Sequence, residues 1–217
     1  MCVYAVALPG DRRIILRGLE GERVKTVTVG RVAAIVGDLK RPPKPTAATL
    51  RKYSEVVQSL SERFPAIVPV RFGTCVQDLI ELTFILQSRQ QSLLRTLRDV
   101  RGRVQMTGRI LQPPAAPAAP SPAKASTSSG VEYLRTRAAA AASDRDIIGF
   151  APVRAAVRRW IRDERVEKQG TVASVYHLVP RGQAEKYRRT IEQAARDAGV
   201  RLTVSGPWPP YAFSTSF

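Results

Sequence analysis

The chain has 217 residues, 44% hydrophobic and 24% charged, the make-up of a folded protein with room for one large or two small domains. Lysine and arginine total 35 against 18 aspartates and glutamates, a formal net charge of +17 that predicts attraction to polyanions: nucleic acid, an anionic membrane surface or an acidic protein. There is no run of 18 apolar residues, so no transmembrane helix is expected, and a single histidine leaves histidine-based catalysis or metal binding little to work with.

Val3 to Leu8 alternates as a strand and stops at the turn pair Pro9-Gly10. With no basic segment ahead of it, this stretch reads as a first strand and not a secretory signal. Cys2 and Cys75 make no metal or redox spacing, and a reducing cytosol is their simplest home. Arg17 to Glu22 is a glycine-punctuated turn without the lysine or the length of a phosphate-binding loop. Val24–Val29 and Val32–Val36 flank Gly30-Arg31, a two-residue hairpin signal.

The connector 40–45 is broken by prolines, and Thr46 is placed to cap a following helix. Leu50, Tyr53, Val57, Leu60 and Phe64 recur at helical spacing, and Pro65 ends that helix. Ala66 to Thr74 reads as a buried strand whose Pro69 argues for an edge or a bulge. Val76 to Val100 predicts one long helix, with Leu79, Leu82, Leu86, Leu93, Leu97 and Val100 near one face as core. Arg101 to Leu111 reads as another strand.

Residues 112–130, rich in proline, alanine and serine, have almost nothing to bury and read as a disordered loop. Val131 to Ala142 predicts a helix, and the pair Asp144 and Asp146 reads as a solvated cap, so no metal is assigned to it. Pro152 to Lys168 is expected to be a helix with Val153, Val157, Trp160 and Ile161 inward and a basic stripe of Arg154, Arg158, Arg162 and Arg165 opposite. Thr171 to Val179 alternates as a strand, with His177 a packed residue on the face of Val175 and Val179. Ala184, Tyr187, Ile191, Ala194, Ala195 and Ala198 form a helical stripe stopped by Gly199, followed by a strand at Val200–Val204.

The tail, Gly206-Pro207-Trp208-Pro209-Pro210-Tyr211-Ala212-Phe213, has little conformational freedom. Two readings stand for it: aromatics packed on their own domain, or a stiff platform for another protein. The mixture of strands and helices gives an α+β class, divided near residue 100 into an N-terminal domain (1–100) and a C-terminal domain (101–217). The second half reads strand, helix, helix, strand, helix, strand, close to a ferredoxin-like plan that lacks one clear strand. No nucleophile motif, phosphate loop, dinucleotide fingerprint or zinc spacing appears, so no catalytic residue, cofactor or metal is assigned and the chain does not read as an enzyme. A basic nucleic-acid-binding module is the alternative function that the charge supports.

Several strings resemble the GvpL/GvpF family of gas vesicle accessory proteins, in the family's order. They are Val3-Tyr4-Ala5-Val6, Val32-Ala33-Ala34-Ile35-Val36, Val68-Pro69-Val70-Arg71-Phe72-Gly73-Thr74, Tyr133-Leu134, Leu178-Val179-Pro180 and Gly206-Pro207-Trp208-Pro209-Pro210-Tyr211. Two positions depart from the family pattern: Tyr53, where a histidine is common, and Gln105, where an acidic residue is common. The resemblance implies an α+β N-terminal domain, a modified ferredoxin-like C-terminal domain and a non-enzymatic role in gas vesicle assembly. It further implies a cytoplasmic, vesicle-associated protein whose partners are the small hydrophobic shell protein and other accessory proteins. Arg71, Phe72, Gly73 and Thr74 and the Gly206–Tyr211 string are its motif residues and the candidate contacts.

Overall fold

The computed structural model describes residues 1–10, 14–39, 41–112 and 147–214. The loop expected beyond Gln112, the helix expected at Val131 to Ala142 and the Asp144/Asp146 pair lie outside the described residues. The chain forms two units: Met1–Met106 with Leu178–Gly182 and Gly206–Phe217, and Thr107–His177 with Gln183–Ser205.

In the first unit, β1 (Cys2–Ala7), β2 (Val24–Val29), β3 (Val32–Gly37) and β4 (Ile67–Pro69) make a sheet ordered β2-β3-β1-β4. The β2–β3 hairpin closes through Gly30-Arg31, with Val29 paired to Val32. β1 and β3 are buried along their whole length, and β4 lies at the sheet edge, where the missing N–H of Pro69 costs no ladder bond. Helix α1 (Ala47–Arg63) starts from a capping box between Thr46 and Thr49. Its inward residues are Tyr53, Val56, Val57 and Leu60, which join Tyr4, Ile35, Phe64 and Ile67 in one core; Leu50 is exposed instead.

The single helix expected over 76–100 is two: α2 (Leu79–Ser88), capped by the Asp78 carboxylate, and α3 (Gln90–Val100). They break at Arg89, whose non-helical φ of −104° and ψ of 5° turn the chain. The break changes which residues are core. Leu82, Leu86, Leu93, Leu97 and Val100 are buried, whereas Leu79 is exposed with Ile80 and Phe84. A second difference concerns the cysteines. An isolated antiparallel bridge brings Cys2 beside Cys75, and the two are joined as a disulfide, a pairing that a separation of 73 residues does not announce.

The second sheet contains β5 (Arg103–Leu111), β6 (Asp163–Gln169), β7 (Val172–Pro180) and β8 (Leu202–Trp208) in the order β6-β7-β5-β8. With α4 (Ala151–Val157) after β5 and α5 (Ala184–Asp197) after β7, the order of the helices and strands among the described residues is βαββαβ, the ferredoxin-like plan. The strand missing from the sequence reading is β6. The expected helix at 152–168 stops at Val157, passes through a 3₁₀ turn at Arg158–Trp160 and gives way to β6. Asp163 to Gln169 carries good helix formers and one aliphatic residue, so its composition points to helix. A two-residue turn at Gly170-Thr171 pairs it with β7 instead, and an outermost strand does not need an apolar face.

Candidate interaction surfaces

The two proline- and aromatic-rich strings, far apart on the chain at Val68–Thr74 and Gly206–Tyr211, meet in the first unit. Arg71-Phe72-Gly73-Thr74 is a tight turn after β4. The Thr74 N–H donates to the Arg71 carbonyl at 3.2 Å, and Gly73 supplies the positive φ of 79° such a turn needs at its third position. The turn leaves Arg71 exposed and folds Phe72 against the core, its ring 5.4 Å from that of Tyr53 at 89°. Tyr53 in turn stacks on Tyr4 at 5.8 Å. Its hydroxyl donates to the Val70 carbonyl, with the Tyr4 carbonyl also in reach at 3.1 Å. Burial, with the phenols of Tyr211 and Tyr4 beside it, raises the Tyr53 pKa far above the usual tyrosine range.

The tail is pinned to the same core. β8 runs through Gly206, Pro207 and Trp208, with a cis Gly206–Pro207 peptide, and the chain then enters a 3₁₀ turn at Tyr211–Phe213. Gly206 has φ 116°, and a side chain there would come within 2.8 Å of the Gln105 carbonyl oxygen, so glycine is required twice over. Pro209, Pro210 and Phe213 are buried, and Tyr211 packs on the core that holds Tyr53 and Phe72. Burial pushes the Tyr211 phenol up to about 12. Gln105 Oε1 accepts the Ala212 N–H at 2.7 Å. Both departures from the family pattern, Tyr53 and Gln105, therefore sit against these strings. Pro209, Pro210 and Phe213 of the tail are thus buried, whereas Pro207 is exposed and Trp208 is 42% exposed.

In the second unit, the arginines expected on one helix are spread over three elements. Arg154 lies on α4, Arg158 in the 3₁₀ turn, Arg162 ahead of β6 and Arg165 on β6. They nevertheless converge on an open cleft of about 870 Å³, together with Asp163, Glu164 and Glu167. Behind the cleft His177 is buried. Its Nδ1 lies 2.5 Å from the Tyr187 hydroxyl and its Nε2 lies 2.6 Å from Glu164 Oε2, which also receives Arg154 Nε at 3.0 Å. Burial works to raise the Glu164 pKa, but the hydrogen bond and charge of His177 and the Arg154 guanidinium outweigh it and hold the carboxyl below its ordinary value. Tyr187, His177, Glu164 and Arg154 are thus linked in one row within the unit, both ring nitrogens of the buried histidine having a partner.

Sequence reading missed the outward face of α2. Leu79, Ile80 and Phe84 are 55%, 81% and 71% exposed while Leu82 and Leu86 of the same helix are buried. The signal was present: Leu79-Ile80-Glu81-Leu82-Thr83-Phe84-Ile85-Leu86 carries more apolar residues than one buried stripe can use. Among the described residues, no helix is long and apolar enough to cross a membrane, and no group of three potential ligand side chains could hold a metal ion.

The family described as gas vesicle synthesis protein GvpL/GvpF matches residues 1–215. The chain belongs to the GvpL/GvpF family. This is a family of gas vesicle accessory proteins and not of enzymes, and an accessory role in gas vesicles follows for the chain. It is similar to gas vesicle protein L of Streptomyces sp. (strain CB03234), 26% identical over 98% of this chain and 91% of that protein. It is 27% identical to gas vesicle protein F1 of Halobacterium salinarum (strain ATCC 700922 / JCM 11081 / NRC-1) over 51% of this chain and 54% of that protein. The crystal structure of the gas vesicle protein GvpF from Anabaena sp. PCC7120 superposes with a TM-score of 0.75 at 14% identity, covering 100% of this chain and 96% of that one. GvpF from Microcystis aeruginosa gives the same score and identity over 99% and 98% of the two chains. At that identity the likeness establishes the shared α+β fold.

Proposed function

We propose that the chain is a cytoplasmic assembly factor that acts in gas vesicle nucleation by binding the small shell protein and other vesicle proteins. The observation that carries this is the apolar surface of α2, where Leu79, Ile80 and Phe84 stand in solvent on a helix already anchored by its other face. Keeping such a surface exposed is costly in a soluble chain and is a mark of a contact site. A shell protein that is itself hydrophobic before it polymerises has matching chemistry. Trp208 and Arg71, exposed within the two strings, add an aromatic and a charged contact.

The test is recovery of tagged protein from the native host with a high-salt wash. Vesicle proteins should stay with the wild type and be lost from Ile80→Asp/Phe84→Asp, while the melting temperatures of the two remain close. Trp208→Ala should fold normally and recover less client. Recovery of nucleic acid alone, vanishing as salt rises, would overturn the reading in favour of a basic nucleic-acid-binding module.

A further inference from the structure

Cys2 and Cys75 are all the cysteine the chain has, and their bridge lies between the Arg71–Thr74 turn and helix α2. β4 stays with β1 as far as Val70, whose N–H donates to the Tyr4 carbonyl at 3.0 Å, and the turn follows. Directly after the turn the chain pairs with β1 again. The Val3 N–H donates to the Thr74 carbonyl and the Val76 N–H to the Met1 carbonyl, each at 2.9 Å. The Met1 nitrogen donates to the Val76 carbonyl at 3.0 Å. These bonds flank Cys2 and Cys75 and leave them as a non-hydrogen-bonded antiparallel pair, the arrangement that brings facing side chains closest. Soon afterwards Asp78 caps α2, whose Leu79, Ile80 and Phe84 stand in solvent.

The two halves of the pair are held differently. Cys2 is 5% exposed and belongs to a strand that is paired with β3 on one side and β4 on the other. Cys75 is half-buried in an isolated bridge, and the main-chain bonds just given are what tie residues 74–76 to residues 1–3 besides the disulfide. Opening the sulfur bond therefore leaves β1 in its sheet and loosens the approach to α2. Disulfides of cytosolic proteins are in the main transient and made by exchange, and the more accessible sulfur is where a thiolate attacks.

We propose that Cys2–Cys75 is a reversible thiol–disulfide clasp that controls client binding. Closed, it fixes the Arg71–Thr74 turn and the entry to α2 against β1; open, it releases both. A small thiol of the glutathione class opens it. Its thiolate attacks Cys75 Sγ, the S–S bond breaks, and Cys2 Sγ leaves as a thiolate that takes up a proton. A second small thiol attacks the mixed disulfide on Cys75, which departs as a protonated thiol while the two small molecules leave joined as their own disulfide. Two small thiols lose two electrons, the protein disulfide gains them, and both protons end on the cysteine sulfurs. The small disulfide closes the clasp by the same steps reversed. This deepens the assembly role and rests on it in taking the α2 face as the contact surface and the cytoplasm as the setting.

The test equilibrates the full chain with reduced glutathione, with glutathione disulfide and with mixtures of the two. Free thiols are trapped with a maleimide-tagged polymer and counted by gel shift, and amide exchange is followed by mass spectrometry. Two thiols should be trapped in excess reduced glutathione and none in glutathione disulfide, with one sample cycling between the states. Opening should speed exchange of the Val3 and Val76 amides by about tenfold or more and leave β3 unchanged. Cys75→Ser and Cys2→Ala should each match the open form in every mixture. The closed form should recover several times more vesicle protein than the open form. A pair that stays closed in reduced glutathione would overturn the proposal, showing a permanent staple. So would a pair that never closes in glutathione disulfide, amide exchange that ignores the redox state, or equal recovery of vesicle protein by both forms. If vesicle proteins are recovered and the pair does not cycle, the clasp falls and the assembly role stands. If the pair cycles and loosens residues 74–78 but neither form recovers vesicle protein, the assembly role falls and the clasp stands as a conformational device.

Discussion

The ring of Phe72 stands edge-on to the ring of Tyr53, 5.4 Å between centroids. Through this contact a turn after β4 reads the inner face of α1, and Tyr211 of the tail packs on the same core. Removing the Phe72 ring by Phe72→Ala should cost about 2 kcal/mol, below the range for a fully buried phenylalanine because Phe72 is only half-buried. Tyr53→Phe keeps the ring and strips the donor from the carbonyls of Val70 and Tyr4, with an expected loss of about 1–3 kcal/mol. Urea unfolding of both variants checks the pair, and an unchanged midpoint in either would contradict the packing described.

Gly206 and Trp208 are two residues apart and should behave oppositely. Gly206→Ala forces a side chain into a positive-φ position 2.8 Å from the Gln105 carbonyl, an expected cost of about 1–3 kcal/mol. Trp208→Ala alters a side chain that is 42% exposed, and its effect on stability should stay within about 1 kcal/mol. Thermal melts of the two variants side by side make the comparison.

Glu164 gives the fold a pH dependence of known sign. Its pKa lies lower in the folded chain than the ordinary 4.5, so its contribution is present above that value and is lost as pH falls through the folded one. Acidification from neutral to below 4.5 should therefore lower the wild-type melting temperature more steeply than that of Glu164→Gln. Parallel slopes over that window would remove Glu164 from the account.

The disulfide closes a long loop. Linking residues 73 apart restricts the unfolded chain by an amount worth up to about 4 kcal/mol on chain-entropy grounds. Oxidised protein should accordingly melt above both Cys75→Ser and protein treated with dithiothreitol, and those last two should agree. A variant that melts with the oxidised protein would show the pair to be unlinked in solution.

Local signals carried most of the element boundaries. Thr46 before Ala47-Ala48-Thr49, Gly30-Arg31 between two valine-rich runs, and Gly199 after an alanine stripe each act within a few residues, so the chain itself specifies them. The tail and the Val70-Arg71-Phe72-Gly73-Thr74 turn were legible as strings because glycine and proline restrict the backbone wherever they stand. What those strings touch was not legible. Tyr53, Phe72 and Tyr211 share a core only because β4 and the chain end fold onto the same unit.

The sequence alone determined the α+β class, the family resemblance and the positive charge, since each depends on composition or on neighbours along the chain, and it narrowed Pro69 to an edge or a bulge. Tertiary structure decided the rest. Asp163 to Gln169 became a strand against its composition because a neighbouring strand supplies hydrogen bonds that propensity does not count. Cys2 found Cys75 through a bridge between distant segments. Leu79, Ile80 and Phe84 were left in solvent because α2 turns its Leu82 and Leu86 side inward, and which side of a helix is covered is settled by what packs against it.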